Sequence, residues 1–272
     1  AGDNILWTIG GESFIIVMIF NFQLNERFCN MYHFTSRVRY SETGENGRLT
    51  LTSIINYFQD CSTFHSEDCQ IGLKYLEGQG KAWMLSAWQL EIRRYPRLGE
   101  EIIIGTWPYG NKGIYGYRNF VLLDKDQNAL VKADSSWFLL DQKSGMPCRV
   151  KDEDVKGYGK PGEPLAMEKV SGKINLSSAA VRCSPITIAP YHIDTNHHVN
   201  NAQYVEFARE AAGVSFPIAW LKVDYRRAAF LGDVIEPRVD VRQGEAVAGL
   251  FNKQGEVCAV VWMKSGKIEE TG

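Results

Sequence analysis

The sequence EIRRYPRLGEEI at residues 91–102 recurs as DYRRAAFLGDVI at residues 224–235. The offset is 133 positions throughout. Both copies share an acid, two arginines, a Leu-Gly pair, a second acid and a final isoleucine. A repeat of this kind indicates that one structural unit is used twice in the chain.

A helix-length stretch with apolar residues at helical spacing precedes each copy. The first covers about Leu51–Cys69, and the second covers Val199 to about Ala212. Apolar side chains spaced three and four positions apart form one face of an amphipathic helix. Asn200 and Asn201 stand at the start of the second stretch, where a side-chain oxygen can cap free backbone N–H groups. Each unit is therefore predicted to contain one long helix.

Short β-type runs separated by turn residues follow each copy. In the first half the predicted strands are Glu101–Trp107, Tyr115–Leu123 and Ala129–Leu140. In the second half they are Val234–Arg242, Val247–Phe251 and Val257–Met263. One helix cannot cover both faces of a sheet, so each unit should curl its sheet around its helix and pair with a second unit. We predict an α+β fold with two hotdogs in tandem, each a curved antiparallel sheet wrapped around one long helix.

The domain boundaries follow from these patterns. Residues 1–30 are left unassigned as an N-terminal extension, and residues 31–150 are predicted to form the first hotdog. Residues 151–180, which include a stretch rich in Gly, Pro, Lys and Glu, are predicted to be a linker. Residues 181–272 are predicted to form the second hotdog.

Composition excludes several classes of protein. The formal charge of −2 and the lack of a basic stripe argue against nucleic-acid binding. The apolar run from Phe14 to Phe20 is shorter than the ~20 residues that span a bilayer, so no membrane insertion is expected. The six cysteines form neither a C-x-x-C pair nor zinc-ligand spacing with histidine, which favours a reducing, cytoplasmic location.

Three of the five histidines lie within seven residues, at His192, His197 and His198. If this segment is extended, alternation projects Asp194, Asn196 and His198 to one side. Histidine can take and return a proton near neutral pH, and a carboxylate can stabilise the imidazolium. An amide can orient a water or a carbonyl. This set of side chains suits hydrolysis of an activated acyl group.

The same residues allow other interpretations. The N-terminus of the following helix would present backbone N–H groups that can stabilise an oxyanion. Asp, Asn and Thr before a helix are also what N-capping alone requires, and a histidine there can simply pack. The histidines lack the i, i+4 spacing of a helical metal site, so no metal is predicted.

A family resemblance adds to this interpretation. The run Asp194–Asn201, followed by Tyr204, matches the signature D-x-N-x-H-V-N-N-x-x-Y, and here the sequence resembles the acyl-acyl carrier protein thioesterase family of plants and bacteria. The first half is similar to that family at residues 38–44, 95–100, 105–107 and 135–137. The resemblance covers about residues 32–265.

The resemblance implies an enzyme that releases free fatty acid from acyl carrier protein without a cofactor. It implies that the second hotdog carries the catalytic residues and that the first largely shapes the acyl cavity. Carried over by position, Asp194, Asn196 and His198 are the catalytic candidates. The backbone N–H groups of Val199 and Asn200 are then expected to be the oxyanion donors.

One departure from the family affects the mechanism. Plant members continue the Tyr-Arg-Arg segment with Glu-Cys, whereas this chain has Ala228 and Ala229 after Arg227. A cysteine nucleophile is therefore impossible at this position. We expect direct attack by a water that His198 and Asp194 activate.

The substrate-binding residues and the rival functions stay open at this point. Phe58, Trp83 and Trp88 are candidates for lining an acyl cavity, although the protein core uses the same residue types. An acyl-coenzyme A thioesterase would share the catalytic site. A non-catalytic acyl-binding protein is the alternative that the missing Glu-Cys pair supports. Either a monomer or a homodimer is compatible with a tandem hotdog.

Overall fold

The computed structural model describes residues 31–269 except Lys169 and Ser171. The predicted extension at residues 1–30 lies outside the described residues. The first half contains two helices, α1 and α2, and the strands β1 to β6. Their bounds are β1 Tyr32–Arg37, α1 Leu51–Asp68, α2 Leu73–Gly78, β2 Lys81–Ile92, β3 Glu101–Lys112, β4 Tyr115–Asp124, β5 Ala129–Asp141 and β6 Met146–Pro147.

The second half repeats this order with a shorter helix. A short helix, α3, Asp152–Val155, precedes it. The following elements are β7 Val181–Arg182, β8 Ile186–Thr187, α4 Asn201–Ala211, β9 Ile218–Tyr225, β10 Val234–Arg242, β11 Glu245–Phe251 and β12 Val257–Ser265. Both predicted long helices and all six predicted strands are present, with ends shifted by at most a few residues. The predicted domain boundaries themselves stay a prediction.

One antiparallel sheet joins the two halves. Its strand order is β1-β3-β4-β5-β2-β9-β12-β11-β10-β7, so β2 and β9 meet in the middle. Leu90 of β2 pairs with Leu221 of β9, and both side chains are fully buried. Helix α1 packs against β1, β3 and β4, and α4 packs against β10, β11 and β12. Each half therefore wraps a sheet around its own helix, which confirms the predicted double hotdog.

Each long helix is stabilised by the capping residue that precedes it and by one buried face. Thr50 caps α1 by accepting a hydrogen bond from Ser53 N, and Asn200 caps α4 by accepting one from Ala202 N. The apolar faces of the two helices are buried in one core. The side chains from α1 include Ile54, Ile55, Phe58 and Cys61, and those from α4 include Tyr204, Val205, Phe207 and Ala208. Burial of these faces supplies most of the stability of both helices.

The repeated Leu-Gly-acid pattern builds the same tight turn in both halves. Gly99 and Gly232 have φ values of 79° and 83°, a conformation that favours glycine. The acid that follows accepts a hydrogen bond from the backbone three residues earlier, from Arg97 N to Glu100 and from Phe230 N to Asp233. The turn directs the chain from one strand into the next.

The predicted linker is an ordered strap in the described part of residues 162–176. It lies across the face of the sheet that is opposite the helices, because Gln89 and Lys222 pair on that face while their neighbours Trp88 and Leu221 face the core. Six sheet side chains bind the strap backbone: Gln89, Trp107, Asn119, Lys132, Lys222 and Asp224. These contacts explain why polar side chains are buried there.

Two further observations concern the described residues only. None of their helices is long and apolar enough to cross a membrane. Their five cysteines are free, and Cys61 and Cys258 are buried.

Asn119 provides a test of the strap. Its Oδ1 accepts from Leu165 N at 2.8 Å, and its Nδ2 donates to Asp134 at 3.0 Å. Asn119→Ala leaves the Leu165 N–H buried without an acceptor, so the free energy of unfolding should fall by about 1–3 kcal/mol. Urea denaturation measures this change. The control Asn111→Ala, at the exposed end of β3, should shift stability by less than about 0.5 kcal/mol. Equal stability of both variants would contradict a structural role for the strap.

Candidate active site

The segment with the clustered histidines forms a tight turn between Ile193 and Val199, which pair as an isolated β-bridge. Asp194 N donates to His198 O at 2.8 Å, and His197 N donates to Asp194 O at 3.1 Å. His197 has a φ of 62°, in the left-handed region. The segment is therefore not extended, because backbone hydrogen bonds close it into a loop, and the condition under which Asp194, Asn196 and His198 would alternate to one side is not met.

The Asp194 carboxylate is occupied in shaping this loop. Its Oδ1 accepts from Asn196 N at 2.8 Å and from His198 N at 3.4 Å. No hydrogen bond joins the carboxylate to the His198 ring within the described part of the chain. Asp194 therefore holds the backbone that carries His198.

His198 is half-buried, and its ring packs against Phe230. The two ring centroids are 5.0 Å apart with an interplanar angle of 63°. Phe230 follows Ala229 in the repeated segment and is 49% exposed. Among the described residues neither ring nitrogen of His198 has a hydrogen-bond partner. The Asn196 side chain is exposed and is likewise without a partner in the described ranges. Both side chains are available to a water or a substrate.

The expected oxyanion donors need a correction. Val199 N donates to Ala229 O at 2.9 Å, and Asn200 N donates to His192 O at 2.8 Å. Neither amide is free, because the loop and the repeated segment use both. Asn201 N is the next amide along the chain and the first of α4, and in the described residues it has no acceptor.

His192 has a structural role. It is buried against Phe207, and its Nδ1 accepts from Ala189 N at 3.0 Å. Burial lowers the pKa of the His192 imidazole below its ordinary value, so the ring is neutral near pH 7. Of the three clustered histidines, His198 alone combines partial burial with free ring nitrogens.

Ala228 and Ala229, at the position of the plant Glu-Cys pair, adjoin the loop at residues 193–199, because Val199 N donates to Ala229 O. Ala229 is 1% exposed, and its N–H donates to the Tyr204 hydroxyl at 2.9 Å. Burial raises the pKa of Tyr204 above its ordinary value, so this hydroxyl is protonated at neutral pH. Asp224 does not contribute to the loop, because its carboxylate accepts from Ile174 N of the strap.

The first hotdog contains a counterpart of the loop 150 positions earlier. Gly44 N donates to Arg48 O at 2.9 Å, and Gly47 N donates to Gly44 O at 2.9 Å, as Asp194 and His197 do in the second hotdog. Gly47 has a φ of 68°. Glycine and arginine stand where the second hotdog has Asp194 and His198, so the counterpart lacks the acid and the histidine at these two positions. The structure thus carries one complete copy of the candidate site in the described residues.

The two hotdogs touch each other at this site. Gln59 of α1 donates to Asn200 Oδ1 at 3.3 Å and accepts from Asn201 Nδ2 at 2.9 Å. Sequence reasoning missed both Gln59 and Phe230. The departure of Phe230 from its repeat counterpart Arg97 was a visible signal, whereas nothing in the sequence marks Gln59.

The candidate acyl-binding residues have different surroundings. Phe58 is 0% and Trp88 is 1% exposed, and both pack on Phe120 in the core. Trp83 is half-buried, with its ring beside Gly116. Phe58 and Trp88 are core side chains in this structure, and their contact with an acyl chain stays a prediction. No group of His, Cys, Asp or Glu side chains in the described ranges could hold a metal ion.

Comparisons with known proteins define the class. Residues 30–158 match the acyl-ACP thioesterase N-terminal domain, and residues 178–259 match the acyl-ACP thioesterase C-terminal domain. The chain therefore belongs to the acyl-ACP thioesterase family.

Particular relatives support this assignment. The chain is 24% identical over 220 residues to the chloroplastic palmitoyl-acyl carrier protein thioesterase of Gossypium hirsutum, covering 73% of this chain and 52% of that protein. It is 26% identical over 219 residues to the chloroplastic oleoyl-acyl carrier protein thioesterase 1 of Arabidopsis thaliana, covering 73% and 60%. The chain spans about half the length of the first of these curated relatives.

Solved structures share the fold. An acyl-ACP thioesterase from Bacteroides thetaiotaomicron superimposes with a TM-score of 0.78 at 23% identity, covering 87% of this chain and 98% of that one. The 12:0-ACP thioesterase from Umbellularia californica gives a TM-score of 0.76 at 20% identity, covering 86% and 96%. Both show the double hotdog architecture.

Tyr204 offers a test of how the loop is supported. Tyr204→Phe removes the acceptor of the buried Ala229 N–H, so the free energy of unfolding should fall by about 1–3 kcal/mol. Chemical denaturation followed by tryptophan fluorescence measures the loss. Tyr191→Phe removes a hydroxyl from a side chain that is 80% exposed and should change stability by less than about 0.5 kcal/mol. A neutral Tyr204→Phe would show that this hydrogen bond does not support the loop.

Proposed function

We propose that the protein hydrolyses the thioester of fatty acyl-acyl carrier protein and releases a free fatty acid. The observation that carries this proposal is His198, whose ring nitrogens have no partner within the described residues. It lies in a family signature loop at the N-terminus of α4. The other parts of the proposal follow from what surrounds this side chain.

His198 acts as a general base on a water molecule. The water oxygen forms a bond to the thioester carbonyl carbon, and its proton passes to the imidazole. The tetrahedral intermediate then collapses, the C–S bond breaks, and the imidazolium returns the proton to the leaving thiolate. No covalent acyl-enzyme is needed, which agrees with alanine at residues 228 and 229.

Two groups assist the reaction. Asn196 orients the attacking water or the thioester carbonyl through its exposed amide. The Asn201 N–H, at the positive end of the α4 dipole, replaces Val199 and Asn200 as the oxyanion donor. Asp194 fixes the loop through its Oδ1, and its negative charge stabilises the imidazolium that forms in the reaction.

The partner we propose is an acyl carrier protein bearing a fatty acyl chain, and the reaction needs no cofactor. We expect the enzyme to work in the cytoplasm. A monomer suffices, because the β2–β9 pairing already supplies the hotdog pair that separate chains form elsewhere. An acyl-coenzyme A thioesterase would use the same groups, and rates on the two donors separate these substrates.

A non-catalytic acyl-binding protein is the second candidate. The buried Ala229, at the position of the plant cysteine, favours it because no nucleophile is present there. The polar side chains Asn196 and His198 favour hydrolysis, because an apolar chain needs neither group for binding.

Removal of the base gives the central test. His198→Ala should lower kcat on acyl-acyl carrier protein by about 100- to 10,000-fold. Asp194→Asn keeps an oxygen that accepts from the loop amides but loses the charge, and kcat should fall about tenfold or more. Release of free thiol from a panel of acyl chain lengths measures both effects.

Arg48→Ala is the matched control, since Arg48 is the first-hotdog counterpart of His198. Its activity should stay within about twofold of the wild type. Circular dichroism confirms that each variant is folded. No turnover by the wild type on any chain length, or full activity of His198→Ala, would reject hydrolysis at this site and leave the binding function.

Phe230 provides a second kinetic prediction. Its ring limits the orientations open to the His198 imidazole, so Phe230→Ala should lower kcat about tenfold with little change in KM. Leu231→Ala, the adjacent side chain that is 60% exposed, is the control and should retain activity. Steady-state kinetics at several substrate concentrations separates the two constants. Wild-type kcat for Phe230→Ala would show that the loop alone orients His198.

A further inference from the structure

Gln59 links the helix of the first hotdog to the N-terminus of the catalytic helix. Its Nε2 donates to Asn200 Oδ1 at 3.3 Å, and its Oε1 accepts from Asn201 Nδ2 at 2.9 Å. Asn56, one helical turn earlier on α1, accepts from the same Nε2 at 3.3 Å. The half-buried Gln59 amide thus has its orientation fixed by three hydrogen bonds, two of which cross between the hotdogs.

Both asparagines that Gln59 contacts belong to the start of α4. Asn200 Oδ1 also accepts from Ala202 N at 2.8 Å and so forms the helix cap. The Asn201 carbonyl accepts from the Tyr225 hydroxyl at 2.9 Å. Asn201 is therefore held by its side chain from one hotdog and by its carbonyl from the other. Its N–H stays without an acceptor among the described residues.

The opposite end of the helix pair does not repeat this arrangement. Arg209 is the repeat counterpart of Gln59, and it pairs with Glu206 of its own helix. Thr50 and Leu51 are the counterparts of Asn200 and Asn201, and no bond from Arg209 reaches them in the described part of the chain. Ile92 stands where Tyr225 stands in the second copy.

The opposite end is also bridged between the hotdogs, because the Thr52 hydroxyl of α1 donates to Glu206 of α4 at 2.7 Å. The two ends differ in what the bridge holds: Gln59 holds both asparagines at the start of α4, whereas no side chain of α4 holds Thr50 or Leu51 in the described residues.

The contact from a helix side chain to the cap and first residue of the other helix is present at the end that keeps Asp194, Asn196 and His198. Among the described residues it is absent at the end that has Gly44 and Arg48. The pair of hydrogen bonds from Gln59 to Asn200 and Asn201, which we call the Gln59 clamp, is therefore found at the end of the helix pair that has the complete candidate site.

We propose that Gln59 is a positioning residue that holds Asn201 so that its N–H faces the developing oxyanion. The active site is then shared between the two hotdogs, and the first hotdog contributes to the chemical step as well as to acyl binding. This inference rests on the proposed function, because it assigns Gln59 a part in the same hydrolysis. An effect on kcat is expected, since the oxyanion forms only after attack.

A double-mutant cycle tests the inference on full-length protein with acyl-acyl carrier protein. Gln59→Ala should lower kcat on the order of 10- to 100-fold with KM nearly unchanged. In an Asn201→Ala background the same change should cost less than about twofold, because the clamp is already broken. Gln59→Glu keeps the acceptor for Asn201 Nδ2 and should recover part of the lost kcat.

Controls separate this result from loss of structure and from failure of the proposed function. Arg209→Ala, at the counterpart position, should keep kcat within about twofold of the wild type. Wild-type kcat for Gln59→Ala alongside an inactive His198→Ala would overturn the role of Gln59 and leave the hydrolase intact. An equal loss in Arg209→Ala, or full additivity in the cycle, would overturn it as well. Absence of turnover in the wild type would overturn both proposals.

Discussion

The antiparallel pairing of β2 with β9 makes one sheet out of two half-barrels, and the other features of the structure depend on it. Each hotdog alone would expose a sheet edge and one side of its helix, and an unpaired edge is a site of aggregation. Pairing these central strands closes both edges and brings α1 and α4 side by side in one core. The strap adds side-chain hydrogen bonds on the opposite face from the same central strands.

Duplication of the unit supplies two loops, and substitution has made them different. The backbone hydrogen bonds that shape the loop are the same in both hotdogs. In the first hotdog residue 47 has a φ of 68°, in the left-handed region, and it is a glycine, which adopts this conformation without steric cost. In the second hotdog His197 takes that position, and Asp194 satisfies two loop amides with its carboxylate. The first hotdog therefore keeps the backbone shape of the loop but lacks the side chains that correspond to Asp194 and His198.

The helix pair gives the first hotdog a direct connection to the second. Because α4 begins beside the middle of α1, the Gln59 side chain of the first hotdog reaches the cap of α4. This geometry follows from two-fold pairing of hotdogs, in which each helix start lies against the other helix. Candidate site residues can therefore be confined to the loop of one hotdog while the other hotdog still contacts that site through Gln59.

Much of the fold was readable from the sequence alone. The repeat at residues 91–102 and 224–235 predicted two equivalent units, since a duplicated turn needs the same glycine and acid in each copy. Hydrophobic periodicity predicted α1, α4 and the long strands, because local burial patterns follow the period of each element. The segment from Asp194 to His198 was predicted to be the candidate site from the chemistry of its side chains and from the family signature, and neither of these requires knowledge of the packing.

The tertiary structure decided how those residues are arranged. Backbone hydrogen bonding folds the segment from Asp194 to His198 into a turn, and it occupies the Val199 and Asn200 amides that were expected to be oxyanion donors. Gln59 and Phe230 reach the site through contacts 141 residues and 32 residues away in the chain, which no local pattern encodes. The sequence by itself thus determined the repeated units, their helices and strands, and the candidate segment, because these follow from local residue patterns. The hydrogen-bond partners were decided by the tertiary structure, because they depend on which distant segments the packed core brings together.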